Sequence, residues 1–112
     1  PVALAPLGAR AQLLATGLTV EIANTALVPG TTREAAEAWL RYWNVDFRFS
    51  PTLGYHPAWD GLPPPTGALG VLEGTDYASW DGVSGALIEV YIYLDAADRV
   101  LTTRAYEIQV VR

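Results

Sequence analysis

Residues 53–70, LGYHPAWDGLPPPTGALG, hold the chain's one histidine, His56, beside Trp59 and Asp60. An imidazole near a carboxylate can act as a general base or proton shuttle, and a site centred on His56 would make a small hydrolase or isomerase. A nucleophile is harder to find. Gly82-Val83-Ser84-Gly85-Ala86 nearly spells G-x-S-x-G, with Ala86 in place of the last glycine. A nucleophile elbow follows a strand and opens a helix, whereas this stretch precedes a strand, so Ser84 reads as a loop hydroxyl. One His and no Cys leave carboxylates as metal ligands, and Asp76 with Asp81 lack the spacing of a calcium loop. Twelve acidic residues make some close carboxylate pair nearly inevitable, so such a pair would not mark a glycosidase. The sequence therefore assigns no catalytic residue, no metal and no cofactor.

Binding chemistry is better supplied. Pro57 biases His56 towards extended backbone, and Pro63-Pro64-Pro65 favours polyproline II. A segment stiffened in this way loses little entropy on ordering, which suits a binding loop or a rigid crossing of a sheet. Its aromatics have two readings. Tyr55 and Trp59 can complete the edge of the core, with His56 as a surface hydrogen-bonder. Exposed together with Trp80, they would form a hot-spot patch or a platform for stacking sugars.

These side chains need a scaffold, and patterning supplies one. Leu18 to Ile22 (LTVEI) alternates apolar and polar residues and predicts a short edge strand. Thr31-Thr32-Arg33-Glu34 has the spacing of a capping box, with Thr31 as N-cap. The helix it opens carries Ala35, Ala36, Trp39, Leu40 and Trp43 on one stripe, with Arg33, Glu37 and Arg41 four apart on the wet face. Asn44 to Ser50 alternates with Val45, Phe47 and Phe49 inward and is ended by Pro51. Leu69 to Leu72 reads as a short strand, and the stretch from Gly74 to Gly85 as polar and turn-rich.

The last 27 residues give the strongest signal, because Ala86 to Leu94 and Val100 to Val111 alternate around DAADR. Asp98 stands at the left-handed position of a three-residue hairpin loop, a conformation that Asp tolerates. That register pairs Leu94 with Val100, Ile92 with Thr102 and Val90 with Arg104, which puts Arg104 on the core face. A one-residue slip would set Glu89 opposite Arg104 on the outer face, and a bulge near Arg104 would reconcile the two. Tyr91, Tyr93 and Arg104 are the outer-face residues expected to contact a partner.

Composition narrows the function classes. The chain has 112 residues, 51% hydrophobic, with a net charge of −5 and all seven cationic side chains arginine. An acidic chain with scattered arginines carries no electrostatic footprint for nucleic acid or anionic membrane. No apolar run approaches the ~20 residues of a membrane-spanning helix. PVALAPLGARAQ reads as the tail of an apolar stretch with an A-x-A cleavage pattern at Ala9-Arg10-Ala11. Residues 1–11 are thus expected to be a signal-peptide remnant or a linker, and residues 12–112 one α+β domain of an exported protein.

The layout resembles a known family. PGTTREAAEAWL is similar to the helix of the SmpA/OmlA domain, the small lipoprotein of the outer-membrane β-barrel assembly machinery, and to the β-lactamase-inhibitor-like fold it shares. EVYIYLDAADRVLTTRAYEI stands where that family has its V-x-F-x-D-x-x-G-R-V hairpin. The likeness covers about half the chain. Asp98 replaces the family's glycine, the lipobox cysteine is absent, and the Pro-rich loop is long. Val28-Pro29-Gly30-Thr31-Thr32 also resembles the opening of a PASTA repeat, whose remaining segments are missing. The first resemblance implies one or two helices packed on an antiparallel sheet of about four strands, and a binding role. The expected function is an exported, non-enzymatic domain that binds a protein partner through the outer sheet face and the Pro-rich loop. The alternatives are a carbohydrate- or peptidoglycan-binding module using the loop aromatics, and the His56-centred enzyme.

Overall fold

The computed structural model describes residues 18–53, 61–80 and 84–111, and the expected leader at residues 1–11 lies outside them. Where a strand was expected at 18–22, a helix begins. Thr19 caps α1 (Val20–Ala26) by accepting from the Ile22 amide at 3.1 Å. Leu18 and Ala23 are buried, with Val20, Ile22 and Leu27 packed against the same core. Spacings of four and five residues between these positions define a helical stripe, and five alternating residues were too few to exclude it.

α2 (Arg33–Tyr42) starts one residue later than the capping box implies: Thr32, not Thr31, is the N-cap, accepting from the Ala35 amide at 3.2 Å. Thr31 is engaged elsewhere. Its hydroxyl donates to the Val28 carbonyl at 2.6 Å and its carbonyl accepts from the Val100 amide at 2.8 Å. Ala36 and Leu40 are buried with Trp39 and Trp43 beside them, whereas Ala35 faces solvent. On the wet face, Glu37 bridges Arg33 at 2.8 Å and Arg41 at 3.3 Å. The helix closes on Asn44 at φ 57°, where the Asn44 amide reaches Arg41 and the Val45 amide reaches Leu40, each at 3.0 Å. This is a Schellman closure with asparagine in the left-handed position.

Four antiparallel strands follow in chain order: β1 (Asp46–Ser50), β2 (Gly70–Trp80), β3 (Ser84–Leu94) and β4 (Val100–Val111). The fold is α+β, two helices on a four-stranded antiparallel sheet. The stretch from Gly74, expected to be turn-rich, is instead the second half of β2. Gly74 disguises it, and both Gly74 and Gly70, which lies within the strand expected at 69–72, are there for space. A Cβ on Gly74 would stand 2.6 Å from Val45 Cγ1, and one on Gly70 would stand 3.1 Å from the Ser50 carbonyl oxygen and 3.3 Å from Phe49 Cε1. The phenylalanines of β1 therefore lie close over β2. Arg33 adds to this, its guanidinium 3.5 Å from the Phe49 ring centroid.

The β3–β4 hairpin has the expected loop, with Asp98 at φ 62° and the Asp95 carboxylate accepting from the amides of Ala97 at 2.8 Å and Arg99 at 3.0 Å. Leu94 pairs with Val100 as expected. The ladder then shifts, so Tyr93 pairs with Thr102, Ile92 with Thr103, Tyr91 with Arg104 and Val90 with Ala105. The irregularity sits at Leu101, not near Arg104, and it turns Arg104 to the outer face.

Leu72, Ile88, Val90, Ile92, Leu94, Val100 and Ala105 make the helix-side core. Segment 30–33 latches onto the hairpin: the Gly30 amide reaches the Val100 carbonyl at 2.8 Å, and the Arg33 amide reaches the Asp98 carbonyl at 3.1 Å. α1 lies along β4, where Asn24 Oδ1 accepts from the Ala105 amide at 2.9 Å.

Candidate interaction face

The sheet buries apolar side chains on both sides, and its outer face divides into a closed, apolar part and an open, polar one. At the hairpin end, Val71, Tyr91 and Tyr93 form a second buried cluster with Ala68, and Leu53, Leu101 and Tyr106 pack against it. Leu53 and Ala68 come from the Pro-rich segment between β1 and β2, which thus crosses this half of the face. Arg104 ties the crossing down, donating from Nη1 to the Pro63 carbonyl at 2.8 Å while its guanidinium lies 5.4 Å from the Tyr93 ring centroid. The Tyr91 hydroxyl donates to Glu89 Oε1, and the rings of Tyr91 and Tyr106 sit 6.1 Å apart at 59°.

This changes the part played by the sheet residues expected to touch a partner. Tyr91, Tyr93 and Arg104 do share the outer face, but Tyr91 is 6% exposed and Tyr93 0%. They hold the Pro-rich segment and present no free ring. Alternation gives the face of a side chain and not its cover, because an apolar row on each face is legible while the segment that lies over it is not. Of the other expected site residues, Tyr55, His56 and Trp59 lie outside the described residues. Trp80 ends β2, where it pairs with Gly85, and its side chain is likewise outside them.

The open part lies over β1 and β2. Asp46, Phe47, Arg48, Glu73, Thr75 and Tyr77 line a shallow depression of about 390 Å³. Arg48 Nε pairs with Glu73 Oε1 at 2.9 Å across the strands, and Tyr77 stands 77% exposed. None of these six was marked as a site residue in the sequence. The outward positions of Asp46 and Arg48 follow from the β1 alternation, but Tyr77 lies in the stretch from Gly74 whose composition predicts turns. Two exposed leucines of the Pro-rich segment, Leu62 at 50% and Leu69 at 57%, are not part of this lining, and the Leu69 amide is bonded to the Leu94 carbonyl at the hairpin end. An aromatic ring beside an arginine and two carboxylates can stack, accept and donate, which is recognition chemistry rather than bond-breaking chemistry.

On the helix side, Asp76 is half-buried opposite Ile88, and this burial raises its carboxyl pKa above the ordinary value of 3.8. Among the described residues, no group of three His, Cys, Asp or Glu is placed to hold a metal ion, and no helix is long and apolar enough to cross a membrane. Comparison with protein-family models, with curated proteins and with solved structures gives no match.

Proposed function

We propose that the chain is an exported, non-enzymatic domain that binds a protein partner through its outer sheet face and the Pro-rich segment. The observation that carries this reading is the open depression lined by Tyr77, on the same sheet face as the segment that Arg104 clamps. Clamping reduces the ordering cost of recognition, and an exposed tyrosine and an arginine lining one depression are residue types favoured at binding hot spots. Tyr91 and Tyr93 support the platform from beneath. The A-x-A pattern at residues 9–11 supports export, and the resemblance of the PGTTREAAEAWL helix and the final hairpin to the barrel-assembly lipoprotein family supports a binding role.

The test places a photo-crosslinking amino acid at Tyr77 and, as a control, at Tyr42, which is exposed on α2. One discrete protein adduct should form from Tyr77 only, and it should weaken in Arg48→Glu. Equal adducts from both positions would overturn the reading. An exposed tyrosine flanked by Asp46, Glu73 and Thr75 also suits a sugar, the second reading. Saturable quenching of tryptophan fluorescence by peptidoglycan oligosaccharides, lost in Tyr77→Ala, would favour that one.

A further inference from the structure

The outer edge of β4 is occupied over its first half by groups that are not strands. Val100 exchanges hydrogen bonds with Gly30 and Thr31, both at 2.8 Å, and the Ala105 amide is capped by Asn24 Oδ1 at 2.9 Å. The Ala105 bond also fixes which residues face outward. Its ladder groups point away from β3, and the register with β3 runs unbroken from Thr102 to Val111. The ladder groups of Glu107 and Gln109 therefore point outward as well. Among the described residues, no strand or cap meets their backbone, and both residues are exposed. An open edge of this kind is a template for another strand.

We propose that residues 106–110 of β4 form a self-association edge that pairs antiparallel with the same residues of a second copy, about a two-fold axis at Ile108. Side-chain complementarity selects this register. Glu107 of each copy faces Gln109 of the other, the pair that already hydrogen-bonds within one strand at 3.0 Å. On the outer face, Tyr106 meets Val110 and Ile108 meets itself, so an apolar row continues across the junction. Like charges are never opposed. An axis at Glu107 would set two carboxylates face to face, and one at Gln109 would set Glu107 against the aliphatic position 111. The contact is isologous and joins two four-stranded sheets into one of eight strands. Its ladder is short because Asn24 closes the next outward position, so the dimer is weak and concentration-dependent.

Sedimentation velocity on the 112-residue chain from micromolar to millimolar concentration tests this. A monomer–dimer equilibrium is expected. Gln109→Lys should tighten it and Gln109→Glu loosen it, each about fivefold, from two symmetry-related cross-strand pairs. Gln109→Pro removes an outward amide that pairing with β3 does not use, and should abolish the dimer. Far-UV circular dichroism and the thermal midpoint establish that each variant is folded. If the proline variant unfolds, the Lys and Glu variants decide. A monomer at every concentration overturns the proposal, as does a dimer that Gln109→Lys and Gln109→Glu shift in the same direction, or one that a folded Gln109→Pro leaves intact.

Discussion

Arg104 and Pro63 are joined by a 2.8 Å hydrogen bond from the guanidinium to the prolyl carbonyl, and this bond binds the last strand to the segment that crosses the outer face. A proline offers no amide, so its carbonyl is the one backbone group through which it can be held. The same guanidinium leans on Tyr93, so one side chain links the crossing, the sheet and the buried tyrosine pair.

Arg104→Ala should therefore loosen the crossing before it unfolds the sheet. The loss is about 1–2 kcal/mol, a charged hydrogen bond discounted for partial exposure. Hydrogen exchange at Leu62 and at residues 66–69 should accelerate well beyond exchange in β3. A uniform rise across the whole chain would contradict the clamp.

Asp98 holds the left-handed turn position at φ 62° and lies 3.6 Å from Arg33 Nη1. Asp98→Ala keeps a Cβ without the local hydrogen bonding that lets Asp tolerate this region, and should cost about 1–2 kcal/mol in urea unfolding. Asp98→Gly removes the steric penalty but gains unfolded-state entropy and loses the ion pair, so it should fall within about 0.5 kcal/mol of the parent. Equal losses in the two variants would mean that the ion pair, not the backbone, governs this turn.

Gly74→Ala puts a methyl group 2.6 Å from Val45 Cγ1, with Phe47 Cβ at 3.5 Å beside it. Overpacking of this kind costs about 1–3 kcal/mol. Thermal melts should show the loss, and Val45→Ala in the same chain should recover part of it, because the clash has one identified partner.

For Asp76, burial raises the folded-state pKa above the value of 3.8. The unfolded chain then releases the proton more readily than the folded one. The contribution of Asp76 to stability is full below pH 3.8 and is lost as pH rises through the folded pKa. Asp76→Asn should accordingly be more stable than the parent at pH 7, with the difference shrinking in acid. Urea midpoints at pH 7 and pH 3 measure this, and a gap that widens in acid would refute the assignment.

The sequence was most legible where local rules act without competition. The β3–β4 alternation, the left-handed Asp98 and the paired face of α2 are each set within a few residues. The inward Phe47 and Phe49 of β1 belong with them. Legibility failed where tertiary neighbours decide. Gly74 looks like a breaker until Val45 and Phe47 beside it are known. Thr31 looks like a cap until Val100 claims its carbonyl. For the candidate site, the outward side of Tyr91, Tyr93 and Arg104 was readable, but the crossing that closes over the tyrosines was not. The exposure of Tyr77 was missed along with the strand that carries it.

Because every strand neighbours the next one in the chain, the sheet can zip up hairpin by hairpin, with short connections after β2 and β3 and one long one, residues 51–69, after β1. The long-range clasps are different: Asn24 and Ala105 are 81 residues apart, and Gly30 and Arg99 are 69. The two helices thus dock on different schedules. α2 can settle on β1, its neighbour in the chain, while α1, the first described element in the chain, has to wait for β4, the last strand to form.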